Sequence, residues 1–484
     1  MKNYLALIFL LLYFFGHTQV VVNSKVINSV DKNPIPSVNV YIKNTTIGVV
    51  TNLDGAFRIN IPKKYINGFL IFSALGYETL EMNISDFKKE ISNNIIRLKP
   101  SAILLDEVTI STKSNLKAND IVKQAFDSYY KNFPTKPFIS KGFLRHTEKT
   151  KKEYKWLVEA AIEVYDLGFD SSSKKIKTNV LEIRKSIDNR YIDTLRAYNW
   201  YLEQVKGQSI RKSWNKTTNL NGVPKQELQK AINHYDAYFT LSGWKQSFFY
   251  SLFSTNINKI RYYNQKKAAF NEKELFKNFS FKLDTIMAHK NNEVYKIKIT
   301  APKKAYKRYG KDFVPFGWIY IRKKDYAILE FEYTTIMGKH YEDFLGKIFG
   351  SRISSSLKLK FKEIGGKMYL NYMSYQTPKL NRLRDAFDVS NDEKNKNGDK
   401  VIKNKDEVHY FTKEEIIFTN IITNEEEIQL HLQKPWSDDL FTPRPYHEQF
   451  WKNYNILLES KEQQKLMQDL EKRVKLKEQF KVSN

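Results

Sequence analysis

Metal or acid–base chemistry in this chain would have to start from its eight histidines and its scattered acid pairs. Neither His-x-x-Glu nor His-Glu-x-x-His, the spacings that set up zinc ligands on one local segment, occurs among them. His146, His340 and His447 each stand one or two places from a glutamate, which suits neither motif, so they read as surface or satisfied histidines. Asp438-Asp439 and Glu425–Glu427 are neighbours in sequence and read as solvated. The nucleophile elbow Gly-x-Ser-x-Gly and the P-loop are both missing. With no cysteine in the chain, disulfides, thiolate metal sites and cysteine nucleophiles are excluded. The sequence therefore predicts no catalytic residue, no metal and no cofactor. Carboxylates brought together only by folding would be needed to make it a hydrolase.

The acidic residue that stands out is Asp54, in the stretch Thr51–Phe57, "TNLDGAF". Asp54-Gly55 lies between "GVVTN" and "AFRIN", where a hairpin needs a positive φ that glycine supplies without steric cost. A calcium loop would need further oxygen ligands at alternating positions, and they are missing. Asp54 and Gly55 are accordingly structural turn residues, as are Gly365 and Gly366, a glycine pair between two alternating runs. Binding chemistry falls instead to aromatics in the later strands. Trp318, Tyr320, Tyr372 and Tyr375 are the candidate ligand-binding residues, able to line the concave face of a curved sheet, with core packing as the competing fate.

The elements that would position these residues follow from periodicity. Residues 19–99 carry short β-branched and aromatic segments separated by turn residues: Val38–Asn44, Ala56–Pro62 and Phe69–Thr79. That pattern predicts a small β-sandwich. After a linker over 100–118, Asn119–Pro134 repeats Ile121, Val122, Ala125, Phe126, Tyr129 and Tyr130 at helical spacing, with Asn119 or Asp120 as cap. Residues 119–455 form an α+β region. Its alternation is clearest between Phe279 and Thr377, where Leu357, Leu359 and Phe361 oppose Lys358, Lys360 and Lys362. This is an antiparallel meander with one buried and one wet face. "GWKQSFFYSLFSTNIN" is a helix-containing insertion, Asn391–Lys405 a polar loop, and 456–484 a helical or mobile tail in which Leu466, Leu470 and Val474 recur every four residues. The expected fold class is mostly β: an N-terminal sandwich, then a large antiparallel sheet with helices.

The stretches "PIPSVNVYIKNTTIGVVTNLDGAFRINIP", "IFSALGYET", "IIRLKP" and "LDEVTI" together resemble the carboxypeptidase regulatory-like domain, a transthyretin-like sandwich common in cell-envelope proteins of the Bacteroidetes. The resemblance implies that the turn aspartate is structural. "IVKQAFDSYYKNFP", "GFLRHTEK", "LVEAAIEVYD", "GWIYIRKKDYAILEFEY" and "YHEQFWKNYNILLE" resemble a poorly characterised Bacteroidetes envelope family in which that domain is fused to a large β-rich region. The sheet is similar in strand pattern to the half-barrels of lipoprotein-carrier proteins. TonB-dependent receptors often carry the same N-terminal domain, but this chain has no room for their plug and barrel.

Lys2 followed by the apolar run Leu5–Phe15, with small residues at Gly16 and Thr18, reads as a signal peptide over 1–18. No later run approaches the length of a transmembrane helix, and without a cysteine no lipoprotein anchor is expected. Lys+Arg at 80 against Asp+Glu at 53 gives a net charge of +27, spread along the chain without a nucleic-acid motif. The expectation is an exported protein, periplasmic or peripheral to the outer membrane. Its expected partners are an envelope protein or outer-membrane complex and an anionic lipid or glycan surface. In the leading expectation the sandwich docks the partner and the basic β-rich region lies near anionic envelope surfaces; the alternative is a carrier or sensor with a hydrophobic ligand or a glycan in the curved sheet.

Overall fold

The computed structural model describes residues 20–88, 95–101, 117–149, 153–168, 176–186, 194–207, 220–240, 279–290, 292–300, 313–337, 353–378, 411–438, 444–472 and 474–482. The predicted signal segment, most of the linker, the insertion after Gly243 and the polar loop Asn391–Lys405 lie outside the described residues.

The chain divides into two compact units. The first contains the N-terminal hundred residues together with Ala288–Lys290 and His447–Lys461. Its strands are β1 (Val20–Asn28), β2 (Asn39–Ile42), β3 (Gly48–Val50), β4 (Ala56–Ile61), β5 (Phe69–Ser73), β6 (Leu80–Asn83) and β7 (Ile95–Leu98). They form two sheets, ordered β4-β1-β7 and β3-β2-β5-β6. Alternate positions point inward, so Val26, Val38, Val40, Phe57, Ile59, Leu70 and Phe72 fuse into one core. This is the expected β-sandwich. Gly55 takes φ +74°, and a Cβ there would come within 2.2 Å of the Val26 carbonyl oxygen. The turn itself is held by Asn52, whose side-chain oxygen accepts from the amides of Asp54 and Ala56, both at 2.9 Å.

Division by compactness differs from division along the sequence. His447–Lys461, which the linear pattern splits between the β-rich region and the tail, groups with the sandwich. β4 has a neighbour in its sheet on one side only, and on the other this segment meets the Asn60 amide and several side chains. The Asn60 amide donates to Asn455 Oδ1 at 2.7 Å, Asn60 Nδ2 to the Tyr454 carbonyl at 3.1 Å, and Asn52 Nδ2 to the Glu459 carbonyl at 2.8 Å. Arg58 reaches the Lys452 carbonyl. Pairing or covering an edge in this way removes a row of unmet backbone groups.

The second unit is built on one open antiparallel sheet. Its strands are β8 (Phe138–Lys149), β9 (Tyr154–Asp166), β10 (Lys177–Lys185), β11 (Ser280–His289), β12 (Asn292–Thr300), β13 (Phe313–Arg322), β14 (Ile328–Met337), β15 (Ile353–Ile364), β16 (Lys367–Pro378) and β17 (Phe411–Ile422). Their order is β10-β9-β8-β17-β16-β15-β14-β13-β12-β11. Sequential hairpins account for most of it, and β17 closes back onto β8. Gly365 and Gly366 take φ of +55° and +75°, the two positive values that a two-residue type I′ hairpin between β15 and β16 requires.

The helix predicted after the linker breaks into Ala118–Asp127 and Tyr129–Asn132. Lys117 occupies the cap position, and the Asp120 carboxylate accepts from its amide at 3.2 Å. Ile121, Val122, Ala125, Phe126 and Tyr129 are buried as the spacing demands, whereas Tyr130 is exposed. The last residues form helices Lys461–Leu470 and Leu476–Val482. They are not an exposed tail. Leu466, Leu470, Leu476 and Phe480 are buried against Tyr154 and Leu157 of β9, whereas Val474, the third member of the predicted stripe, is exposed.

Candidate functional site: the polar face of the ten-stranded sheet

Register makes the two faces of the large sheet chemically opposite. Directly paired residues Ile297, Ile319, Phe331, Leu359, Met373, Ile416, Leu144, Ala160 and Ile183 cross it from β12 to β10. All of them are buried. One residue along each strand, the opposite face carries Lys298, Trp318, Glu332, Lys358, Ser374, Glu415, Arg145, Glu159 and Arg184 in the same paired order. A period of two puts these alternating sets on opposite sides.

At the β8–β10 end the polar row is buried and its charges are closed on one another. Glu159 is 1% exposed. Its Oε1 accepts from Arg145 Nε at 2.6 Å and its Oε2 from Arg184 Nε at 2.6 Å. Burial pushes the Glu159 carboxyl up, but the two guanidiniums more than reverse this and hold it below the usual carboxylate range. Gln463, in the helix Lys461–Leu470, accepts from Arg145 Nη1 at 3.2 Å and donates to Glu415 Oε2 at 3.4 Å. Tyr372 donates its hydroxyl to Glu415 Oε1 at 2.9 Å. Burial, and then the Glu415 charge, raise the Tyr372 phenol well above its ordinary value. Lys360 pairs with Glu330 at 2.9 Å, and burial lowers its ammonium despite that partner. This half fixes helices to the sheet.

Towards β11 the same face opens. Trp318 and Tyr320 are half-buried neighbours on β13, and Lys298 beside them is exposed. Lys296 Nζ lies 4.1 Å from the Trp318 ring centroid and Lys298 Nζ 5.8 Å, both within cation–π range. Lys296 also pairs with Asp284 Oδ2 at 3.3 Å. Burial, then the neighbouring Glu332, Glu330 and Asp284 carboxylates, push the Tyr320 phenol up.

The four aromatics named from the sequence thus separate. Trp318 and Tyr320 stand together; Tyr372 shares their face but lies three strands away, buried on Glu415. Tyr375 pairs with Leu357 and Glu414 and so lies on the apolar face. Sequence reading passed over Lys298, Arg145 and Glu159, which cross-strand register brings into one row, and Lys296, which pairs with Tyr320 in the next row. Asp54 has a partner 407 residues away: its Oδ2 accepts from the Lys461 amide at 2.5 Å. Of the histidines singled out, His146 is fully buried with Nδ1 3.3 Å from Glu414 Oε1, so it is no surface residue. His447 precedes the helix Glu448–Asn453, and His340 lies outside the described residues. Glu425–Glu427 open the helix Glu425–Leu432, where their charge complements the helix dipole. Among the described residues, no three His, Asp or Glu converge in a way that could hold a metal.

Residues 22–110 match the family model described as the CarboxypepD_reg-like domain. The first unit carries a CarboxypepD_reg-like domain. Over 93 residues the chain is 36% identical to a TonB-dependent receptor, P39, from Formosa agariphila. That stretch is 19% of this chain and 8% of the receptor, so the likeness spans only a small part of the receptor's length. Among solved structures, a LolA superfamily protein from Nitrosomonas europaea aligns with 64% of this chain and 96% of its own, at 8% identity and a TM-score of 0.20. A DUF1329 family protein from Desulfovibrio piger aligns with 64% and 94%, at 9% identity and a TM-score of 0.23. At these scores neither carries an argument about function. No described helix is long and apolar enough to cross a membrane.

Proposed function

We propose that this protein is a non-catalytic binding protein of the cell envelope. In this reading it is exported, its CarboxypepD_reg-like domain docks an envelope protein, and the polar face of the large sheet meets an anionic envelope component. The observation that carries the proposal is the asymmetry of the sheet. Its apolar row is buried from β12 to β10, while the polar row ends at a half-buried tryptophan and exposed lysine on β12 and β13. A hydrophobic cargo would need open apolar surface on this sheet, and that row offers none, which favours the polar face as the ligand-facing side. At the buried Glu159 and Glu415 and the half-buried Glu330 hydrolase chemistry is disfavoured, because each is held by a cation or a hydrogen bond. Such satisfied groups fix structure instead of standing ready for proton transfer.

Sedimentation with the protein's native envelope tests this. The protein should pellet at low ionic strength and come off in high salt, because exposed charges are screened within about 10 Å at 0.1 M and about 3 Å at 1 M. Retention indifferent to salt would remove the electrostatic part of the reading.

A further inference from the structure

The open end of the polar face contains a like-charge juxtaposition that the fold itself does not satisfy. β11 neighbours β12 in the sheet. Lys296 pairs with Asp284 across the two strands at 3.3 Å, and Thr300 Oγ1 donates to the Ser280 carbonyl at 3.3 Å. Two residues further along each strand, on that same face, stand Lys282 and Lys298. Like charges on one face of neighbouring strands repel. Both side chains are exposed, and among the described residues neither has a carboxylate within ion-pair distance. Lys298 is in turn paired across strands with Trp318. The result is a row of two unneutralised ammoniums ending on an indole, with Lys296 held beside it by Asp284.

We propose that Lys282, Lys298 and Trp318 form a binding site for one acidic sugar unit of an anionic polysaccharide. This rests on the reading that the polar face meets an anionic envelope component. A carboxylate or sulfate between Lys282 and Lys298 would relieve their repulsion, and the indole offers an apolar wall against which the sugar ring packs. A bilayer is the poorer fit. An interfacial surface needs large apolar side chains to bury among lipid, and the exposed large hydrophobics among the described residues include none on β11–β14.

The test measures binding of the full chain to polygalacturonate and to dextran sulfate by titration calorimetry, with neutral dextran and phosphatidylglycerol vesicles in parallel. The acidic polymers should bind and neutral dextran should not. Trp318→Leu and the double variant Lys282→Gln/Lys298→Gln should each weaken binding about tenfold, the loss of roughly one good contact. The lysine variant alters only exposed side chains, so its melting temperature should stay the same or rise, which separates lost binding from lost folding. Unchanged affinity in the lysine variant would overturn the site. Failure of the wild type to bind either acidic polymer would overturn it too. Vesicle binding through these residues without polysaccharide binding would overturn the ligand class. None of these three results would touch salt-reversible retention on the native envelope, which tests the broader reading separately.

Discussion

Asp54 shows how far one residue's role can lie from its local pattern. The stretch Thr51–Phe57 signals a hairpin, but the strands it joins, β3 and β4, lie in different sheets; the turn between them still takes a positive φ at Gly55. The side chain that shapes that turn is Asn52, while the Asp54 carboxylate accepts from the first amide of the helix Lys461–Leu470. Gly55→Ala should destabilise the sandwich by about 1–3 kcal/mol, since a Cβ would meet the Val26 carbonyl in a backbone region L-residues avoid. Chemical denaturation would read this as a lowered midpoint. Glu159 gives the second prediction at this scale. Glu159→Gln should cost about 3–5 kcal/mol, because it leaves the guanidinium of Arg145, 1% exposed, without its counter-charge. The folded-state pKa of Glu159 lies below its unfolded value. Its contribution is thus complete above the ordinary carboxylate range and disappears as pH falls through the lowered value. Stability measured against pH should therefore fall less steeply on the acid side for Glu159→Gln than for the wild type.

At the scale of elements, the C-terminal helices show why spacing suggests a helix but not its burial. Leu466 and Leu470 form a narrow stripe amid charged residues, which suits an exposed helix as well as a docked one. Docking was decided by Tyr154 and Leu157, more than three hundred residues earlier, and by Gln463 bridging Arg145 and Glu415. Leu470→Ala should destabilise the second unit by about 2–5 kcal/mol, the usual cost of truncating a buried leucine. Amide exchange in the helices Lys461–Leu470 and Leu476–Val482 should accelerate with it; exchange already fast in the wild type would contradict their docking. The meander was more open to reading. Alternation along Leu357–Lys362 places apolar and cationic residues on opposite faces, and Gly365-Gly366 admits the tight turn that locks β15 to β16. Trp318 and Tyr320, two apart, share a face for the same reason, and Tyr372 and Tyr375, three apart, cannot.

For the whole molecule, a net charge of +27 argues for an anionic partner only if cations remain uncompensated where a partner can reach them. Much of the charge on the sheet is spent internally, as with Lys360 on Glu330 and Arg145 and Arg184 on Glu159. Lys282 and Lys298 are not so spent. Native-envelope retention should accordingly fall when those two lysines are neutralised together, while neutralising Lys323, which pairs with Glu293 at 2.8 Å, should leave it unchanged. Equal effects from both substitutions would point to overall charge instead of a site.

Composition, alternation and turn residues by themselves determined that this chain builds a small sandwich and a long antiparallel meander, because those signals act between residues only a few positions apart. Which strands lie side by side, and hence that Lys298 stands opposite Trp318, was decided only in the folded sheet. Tertiary contacts join residues that chain distance leaves unrelated: Asp54–Lys461 and Asn52–Glu459 each span 407 positions. The local code sets which face a side chain takes; the tertiary register sets what it meets there.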